Sequence, residues 1–249
     1  MKSKIYQYLL DVINTKGAGY FVLIDPDKKN HVNIEKFVQT ANESDVDALL
    51  VGGSLMMDAG NHHRVAKIKK YAKMPIIFFP GSATQINGYY DAMFFMSILS
   101  GRNPHYLIGE QVIAAPIVKD IEIETIPMGY LLLDGGTTTT VEFMSSTKPI
   151  PMGRPDISVA HALAAQYLGM RFVYLEAGSG AKNSVSIETV EAVKNQIEIP
   201  IIVGGGIKTP KSAEKRVKAG ASFIVTGTVT EEFGDSGIMK EFSDAIHRI

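Results

Sequence analysis

Three features of this 249-residue chain predict an α/β fold, a single-domain (β/α)8 barrel of TIM type spanning residues 1–249. Eight short apolar runs recur along it. Segments of helical periodicity separate them. Glycines, small hydroxyls and acids gather directly after the runs. The runs are Tyr20–Ile24, Ala48–Val51, Pro75–Phe79, Met93–Ile98, Tyr130–Leu133, Phe172–Leu175, Pro200–Val203 and Phe223–Val225. Each is nearly continuous in Val, Ile, Leu, Phe and Tyr, the composition of strands buried on both faces of a parallel sheet.

The intervening segments carry helix signals. Ala160, Leu163, Ala164, Tyr167 and Leu168 follow i, i+3, i+4, i+7, i+8 spacing, and Gly169 stands where a helix ends. Thr209-Pro210 supplies a capping hydroxyl and a first-turn proline, and Ala219-Gly220 closes that helix. Two segments break the alternation. Pro80–Asp91 is too polar and glycine-rich for a barrel helix, so the regular helix after the third strand is expected to be replaced by irregular structure. Gly135–Pro155 holds four consecutive threonines and three prolines and reads as a long loop, a form usually tied to function or disorder.

Composition excludes several classes. Lys+Arg number 25 and Asp+Glu 26, a net charge of -1, which is not the basic excess of a nucleic-acid protein. The absence of cysteine removes disulfides, zinc–thiolate sites and a thiol nucleophile. No apolar run approaches the roughly 18 residues of a membrane span; the most apolar, Ala92–Leu99, is short and contains a serine. Asp11 and Lys16 interrupt the N-terminal stretch where a signal peptide needs an apolar core. A cytoplasmic location is therefore expected.

Active sites of such barrels lie at the C-terminal ends of the strands. There the chain places Asp25-Pro26-Asp27-Lys28, Gly52-Gly53-Ser54, Glu176-Ala177-Gly178-Ser179-Gly180, Gly204-Gly205-Gly206-Ile207-Lys208 and Thr226-Gly227-Thr228. One glycine turn is only a tight turn. Two on the seventh and eighth strands occupy the positions where these barrels bind phosphate. Asp25 either caps its turn or holds Mg2+, which takes one or two carboxylates together with phosphate and water; Ser54 offers a second oxygen. Glu176 shares a strand face with Tyr174 and can accept a proton from a substrate hydroxyl, or pair with Lys208. His62-His63 are adjacent on a helix and do not converge, and the other histidines form no metal pattern. Phe78, Phe79, Tyr89, Tyr90, Phe94 and Phe95 read as packing, with a greasy channel as the alternative.

IDPDK (24–28), VGGS (51–54), YLEAGSGA (174–181), VGGGIK (203–208) and VTGT (225–228), in this order, closely resemble the geranylgeranylglyceryl phosphate synthase family. That family shares its modified barrel with the PcrB-type enzymes. The resemblance implies a prenyltransferase of ether-lipid synthesis, with Mg2+ as cofactor. It would join the C3 hydroxyl of sn-glycerol 1-phosphate to geranylgeranyl diphosphate or a similar long prenyl diphosphate, releasing diphosphate. By motif, Asp25 and Ser54 would hold Mg2+, and Asp25 and Glu176 would serve catalysis. Tyr174, Leu175, Glu176, Ala177, Gly178, Ser179 and Gly180 would hold the glycerol phosphate, whose phosphate would sit on Gly205, Gly206, Gly227 and Thr228.

One position departs from the PcrB type. A lysine two residues before the strand-one aspartate is Leu23 here, so the chain looks more like the larger subgroup of archaea and some bacteria. Lys28, Lys208 and Arg154 are the candidates to balance the phosphate. Rival readings are another phosphate-binding barrel (a sugar-phosphate isomerase or FMN oxidoreductase) or a non-catalytic one. A homo-oligomer is left open.

Overall fold

The computed structural model describes residues 3–27, 33–233 and 237–247. Among them the strands β1 (Gly19–Ile24), β2 (Ala48–Val51), β3 (Ile76–Phe78), β4 (Ala92–Ile98), β5 (Glu124–Leu132), β6 (Phe172–Glu176), β7 (Ile201–Gly204) and β8 (Phe223–Thr226) appear in turn. They close into one barrel in sequence order, every pair parallel, with β8 returning to β1 through Tyr20↔Ile224. The expected barrel is present. Period-2 alternation divides its residues between two cores. Phe21, Leu50, Phe94, Phe172, Tyr174 and Phe223 point inward and fill the barrel. Tyr20, Val22, Leu49, Val51, Val173 and Leu175 point outward against the helices.

The helices are α1 (Lys4–Lys16), α2 (Ile34–Glu43), α3 (Asn61–Tyr71), α4 (Glu110–Asp120), α5 (Thr140–Ser145), α6 (Pro155–Tyr167), α7 (Ile187–Lys194), α8 (Pro210–Lys218), α9 (Thr228–Phe233) and α10 (Ile238–Ile246). The predicted start of α8 is as read: Thr209 accepts from Ser212 N–H at 3.2 Å with Pro210 in the first turn. α1 plugs the bottom of the barrel with Leu9 and Val12. Its first turn is tied down by the Glu124 carboxylate, which accepts from Ile5 and Tyr6 N–H at 2.8 Å each.

β5 begins six residues before the apolar run at Tyr130. Glu124, Pro127 and Gly129 hide its first half, yet Met93↔Thr125 and Phe95↔Pro127 pair with β4. The helix α6 is also turned relative to its apolar stripe. Tyr167 and Leu168 are 79% and 68% exposed, whereas Ser158, Ala162 and Ala165 are buried. Close approach decides this: a Cβ on Gly129 of β5 would lie 2.7 Å from the Ala165 Cβ, so only small residues fit beneath the helix.

Both irregular segments sit at the top of the barrel. A 3-10 turn, Ala83–Gln85, replaces the helix after β3, and Glu110 of α4 accepts from its Ala83 N–H at 2.7 Å. A π-helical turn, His105–Gly109, leads into α4. The loop 135–155 carries α5, started by Thr139, whose hydroxyl accepts from Glu142 N–H at 3.4 Å. Helix-capping chemistry was hidden there among four threonines.

Candidate active site

The inward parity of Phe172 and Tyr174 continues to Glu176, which brings a carboxylate over the top of the filled barrel. It is 7% exposed. Oε1 accepts from Gly178 N–H at 2.6 Å, and the Tyr174 hydroxyl donates to the carboxylate. Burial pushes the Glu176 pKa up to about 7, although both hydrogen bonds pull it down. Among the described residues no basic side chain pairs with Glu176; the Lys208 ammonium lies instead 3.5 Å from Lys182 O, exposed. A carboxyl that titrates near neutrality in a desolvated place is suited to general-base work.

Beneath it three rings cluster, Tyr130 stacked on Tyr174 and Phe79 tilted against both. Tyr130 lies 5.5 Å from Tyr174 and Phe79 lies 5.3 Å from Tyr174. Burial and the nearby Glu176 charge raise the pKa of both tyrosines well above the ordinary value, keeping the hydroxyls protonated. Sequence reading missed Tyr130. The register Tyr130↔Tyr174 brings it to the site, and strand register is not visible along one strand.

The β6 and β7 loops interlock through glycine. Gly205 and Gly206 have φ of 80° and 65°, the left-handed region where a side chain is strained. A Cβ on Gly205 would collide with Glu176 Oε1, and one on Gly206 would sit 2.9 Å from Asn183 O and Ser184 N. The predicted phosphate glycines therefore adjoin the predicted base. On the other side Ser179 and Thr228 share a hydrogen bond at 3.4 Å, linking the β6 loop to Gly227-Thr228 at the start of α9. Leu23 packs beside this turn, 3.6 Å from a Cβ placed on Gly227.

Asp25 leaves β1 and faces the β2 loop. Its Oδ1 accepts from Asp27 N–H at 3.1 Å and would lie 2.5 Å from a Cβ on Gly53. The carboxylate and the Gly53-Ser54 segment are thus neighbours. No group of three or more His, Cys, Asp or Glu side chains with metal-binding geometry occurs among the described residues. Arg154 is bound to Asp156 at 2.9 and 2.6 Å on the exposed start of α6. Lys28 lies outside the described residues.

A cavity of about 460 Å³ joins these groups, within the roughly 300–1,000 Å³ of small-molecule sites. Asp25, Ser54, Glu176, Ser179, Gly227 and Thr228 line it from β1, β2, β6 and β8. Phe79, Met93, Phe95, Tyr106, Val141 and Met144 line it from β3, β4, the π-helical turn and α5. The missing helix after β3 leaves room for this apolar arm. Phe95 lines it, whereas Phe94 is fully buried in the barrel core beside Phe21 and Phe172. Of the residues expected to hold the substrate, Tyr174, Leu175, Ala177, Gly178, Gly180, Gly205 and Gly206 do not line the cavity: Tyr174 and Gly178 are buried against Glu176, Gly205 adjoins its carboxylate, Gly180 is exposed, and Leu175 and Ala177 turn to the outer core.

The rim thus combines an acid that titrates near neutrality, a neighbouring carboxylate and hydroxyl, and left-handed glycine turns with an apolar arm. Comparison with known proteins narrows this. The PcrB family model matches residues 10–246. The chain is 41% identical to geranylgeranylglyceryl phosphate synthase of Chitinophaga pinensis, covering 99% of this chain and 97% of that protein. It is 44% identical to the synthase of the same name from Pyrococcus horikoshii, over 92% of this chain and 89% of that one. The structure of (S)-3-O-geranylgeranylglyceryl phosphate synthase from Thermoplasma acidophilum, in complex with sn-glycerol-1-phosphate, superposes with a TM-score of 0.89 at 35% identity, covering all of both chains. The chain belongs to the PcrB family, among its geranylgeranylglyceryl phosphate synthases, and is an enzyme of the prenyltransferase class. No helix among the described residues is long and apolar enough to cross a membrane.

Proposed function

We propose that this enzyme alkylates the C3 hydroxyl of sn-glycerol 1-phosphate with geranylgeranyl diphosphate or a similar long prenyl diphosphate, a step of ether-lipid synthesis. The observation that carries the reading is the junction of Glu176 with an apolar arm in one cavity. The glycerol phosphate would lie over the β6–β8 loops, its phosphate on Gly205, Gly206, Gly227 and Thr228. The prenyl chain would run into the arm along Phe79, Met93 and Phe95.

Glu176 would accept the proton of the C3 hydroxyl as its oxygen bonds to C1 of the prenyl chain. The C1–oxygen bond to diphosphate breaks in the same displacement, and the bonding pair leaves with diphosphate. The Tyr174 hydroxyl and Gly178 N–H hold the carboxylate in place before and after it takes the proton. Asp25 and Ser54 are hard oxygen donors on adjacent loops, a set that fits Mg2+, an ion content with one or two protein ligands plus substrate phosphates. When bound, Mg2+ would neutralise charge on the departing diphosphate. The reading places the protein in the cytoplasm. The outward stripes of α6 (Tyr167, Leu168) and α4 (Val112, Ile113) support a homo-oligomer.

The decisive experiment incubates purified protein with geranylgeranyl diphosphate and sn-glycerol 1-phosphate or its 3-phosphate mirror image, with Mg2+ or EDTA. Ether product from the 1-phosphate alone, lost in EDTA, is expected. No product with any prenyl donor overturns the transferase reading.

A further inference from the structure

One charged group is deeply buried and unused by the chemistry above. Arg216 on α8 is 7% exposed. One terminal nitrogen donates to Ser212 O at 2.8 Å and Ser212 Oγ at 2.7 Å. The other donates to Ser184 Oγ and, at 2.6 Å, to Val185 O. Its Nε is buried with no partner, and among the described residues no carboxylate pairs with the guanidinium. Burial pulls the Arg216 pKa down, as expected of a cation taken out of water.

This placement carries a desolvation cost. A buried cation ordinarily has a paired anion, because desolvation otherwise goes uncompensated. Arg216 also sits at the start of α7, since Ser186 caps that helix and Ser184 and Val185 lead into it. The α7 N-terminus is the positive end of its dipole and disfavours the charge, whereas the last turn of α8, which carries Arg216, favours it, so the two dipoles oppose each other. Oxygen acceptors surround the guanidinium, but among the described residues it has no ionised counter-charge, and a ligand can supply one.

The geometry locates it. Ser184, which Arg216 grips, is the residue whose N–H, with Asn183 O, lies against Gly206. Asn183 N–H is itself bound to Gly135 O at 2.9 Å. One residue therefore separates the guanidinium from the left-handed glycine pair. Lys208, on the same loop, is exposed and screened by water, and Arg154 is neutralised by Asp156. Arg216 is the desolvated cation behind this turn.

We infer that Arg216 is a positioning residue for the acceptor's phosphate: it clamps Ser184 and Val185 so that the β6 loop forms the wall of the Gly205-Gly206 turn, and its unpaired charge attracts the dianion from behind. This rests on the phosphate reading of that turn.

The test measures kinetics of wild type, Arg216→Met, Arg216→Lys and Ser184→Ala, varying sn-glycerol 1-phosphate and the prenyl diphosphate separately. In Arg216→Met the KM for sn-glycerol 1-phosphate should rise about tenfold or more, with kcat and the prenyl diphosphate KM within twofold of wild type. Arg216→Lys should recover part of that loss by restoring charge without the planar fork. Ser184→Ala, which keeps the charge, should raise the same KM by about threefold. A general packing defect would instead lower kcat or move both KM values, and that pattern overturns the inference, as does an unchanged acceptor KM. If Arg216→Met does not fold, the other two variants decide by the same criterion. Wild type that neither binds nor uses sn-glycerol 1-phosphate overturns the functional reading instead, so the two failures are distinct.

Discussion

Replacing Glu176 by Gln should raise stability above neutral pH while removing activity. The two side chains are nearly isosteric, so packing against Tyr174 and Gly205 is kept, and only the charge is lost. The Glu176 carboxyl moves from its ordinary 4.5 to about 7 on folding. At 1.36 kcal/mol per pH unit, burying the ionised form costs about 3 kcal/mol. The sign follows from proton uptake. Between pH 4.5 and 7 the folded protein keeps a proton that the unfolded chain has released, so wild-type stability falls as pH rises through this window and is level above it. The Gln variant has no such slope, and every other titrating group is common to both proteins. The comparison is denaturant unfolding of both at pH 5 and pH 8. The variant-minus-wild-type difference should be more favourable to the variant at pH 8 by about 2–3 kcal/mol. An equal difference at both pH values would show that the carboxylate is not desolvated, and the general-base reading would lose its physical basis. In prenyl transfer the variant should be slower by about 10²–10⁴, and wild-type kcat/KM should fall tenfold per unit below pH 7.

Three further outcomes are expected. Asp25→Ala should lower prenyl transfer by about two orders of magnitude or more with the circular dichroism spectrum unchanged; near-normal turnover would remove Asp25 from the metal site. Phe95→Ala should widen the apolar arm and shift donor preference toward longer chains in competition assays. Phe94→Ala should leave preference unchanged and cost about 3–5 kcal/mol of stability, because its ring fills the barrel; the reverse pattern would refute the assignment of the cavity wall. At the opposite end of the barrel, buried Asp47 accepts from Lys16 Nζ, Tyr20 N–H and His247 Nε2, each at 2.7 Å. Burial raises its pKa, but the bonds from His247, Lys16 and Tyr20 outweigh this and hold it below the ordinary value. Its stabilisation is thus complete at neutral pH and lost as pH falls through that lowered value. Asp47→Ala should cost about 3–5 kcal/mol at pH 7, with a smaller loss at pH 3 by thermal unfolding and no effect on KM; a loss that did not shrink in acid would contradict the ionic role.

The barrel was legible in the chain because strands buried on both faces must be apolar at every position, which marks them without reference to their neighbours. β5 shows the limit of that signal. Pro127 and Gly129 sit within a paired strand, and the pairing is made by β4 and β6. α6 shows a second limit. Its stripe of large apolar residues was readable, but which face met the barrel depended on Gly129 and Ala165 closing the gap beneath it. Of the site, Asp25, Ser54, Glu176 and the glycine turns were accessible because each directly follows a strand, and the barrel gathers strand ends at one rim. Tyr130, Glu110 and Arg216 were not, since each meets partners on other elements that only the tertiary structure brings beside it.

The amino-acid order alone thus determined the barrel, its irregular third connection and the rim residues. These follow from local rules of periodicity, capping and turn chemistry that one segment can express. Only the tertiary structure decided that Glu176 is dry enough to titrate near 7, that Phe95 and not Phe94 lines the cavity, and that Arg216 is buried against Ser184 with its Nε unpartnered. Desolvation, register and charge balance belong to what surrounds a residue, and those surroundings come from parts of the chain far apart in sequence.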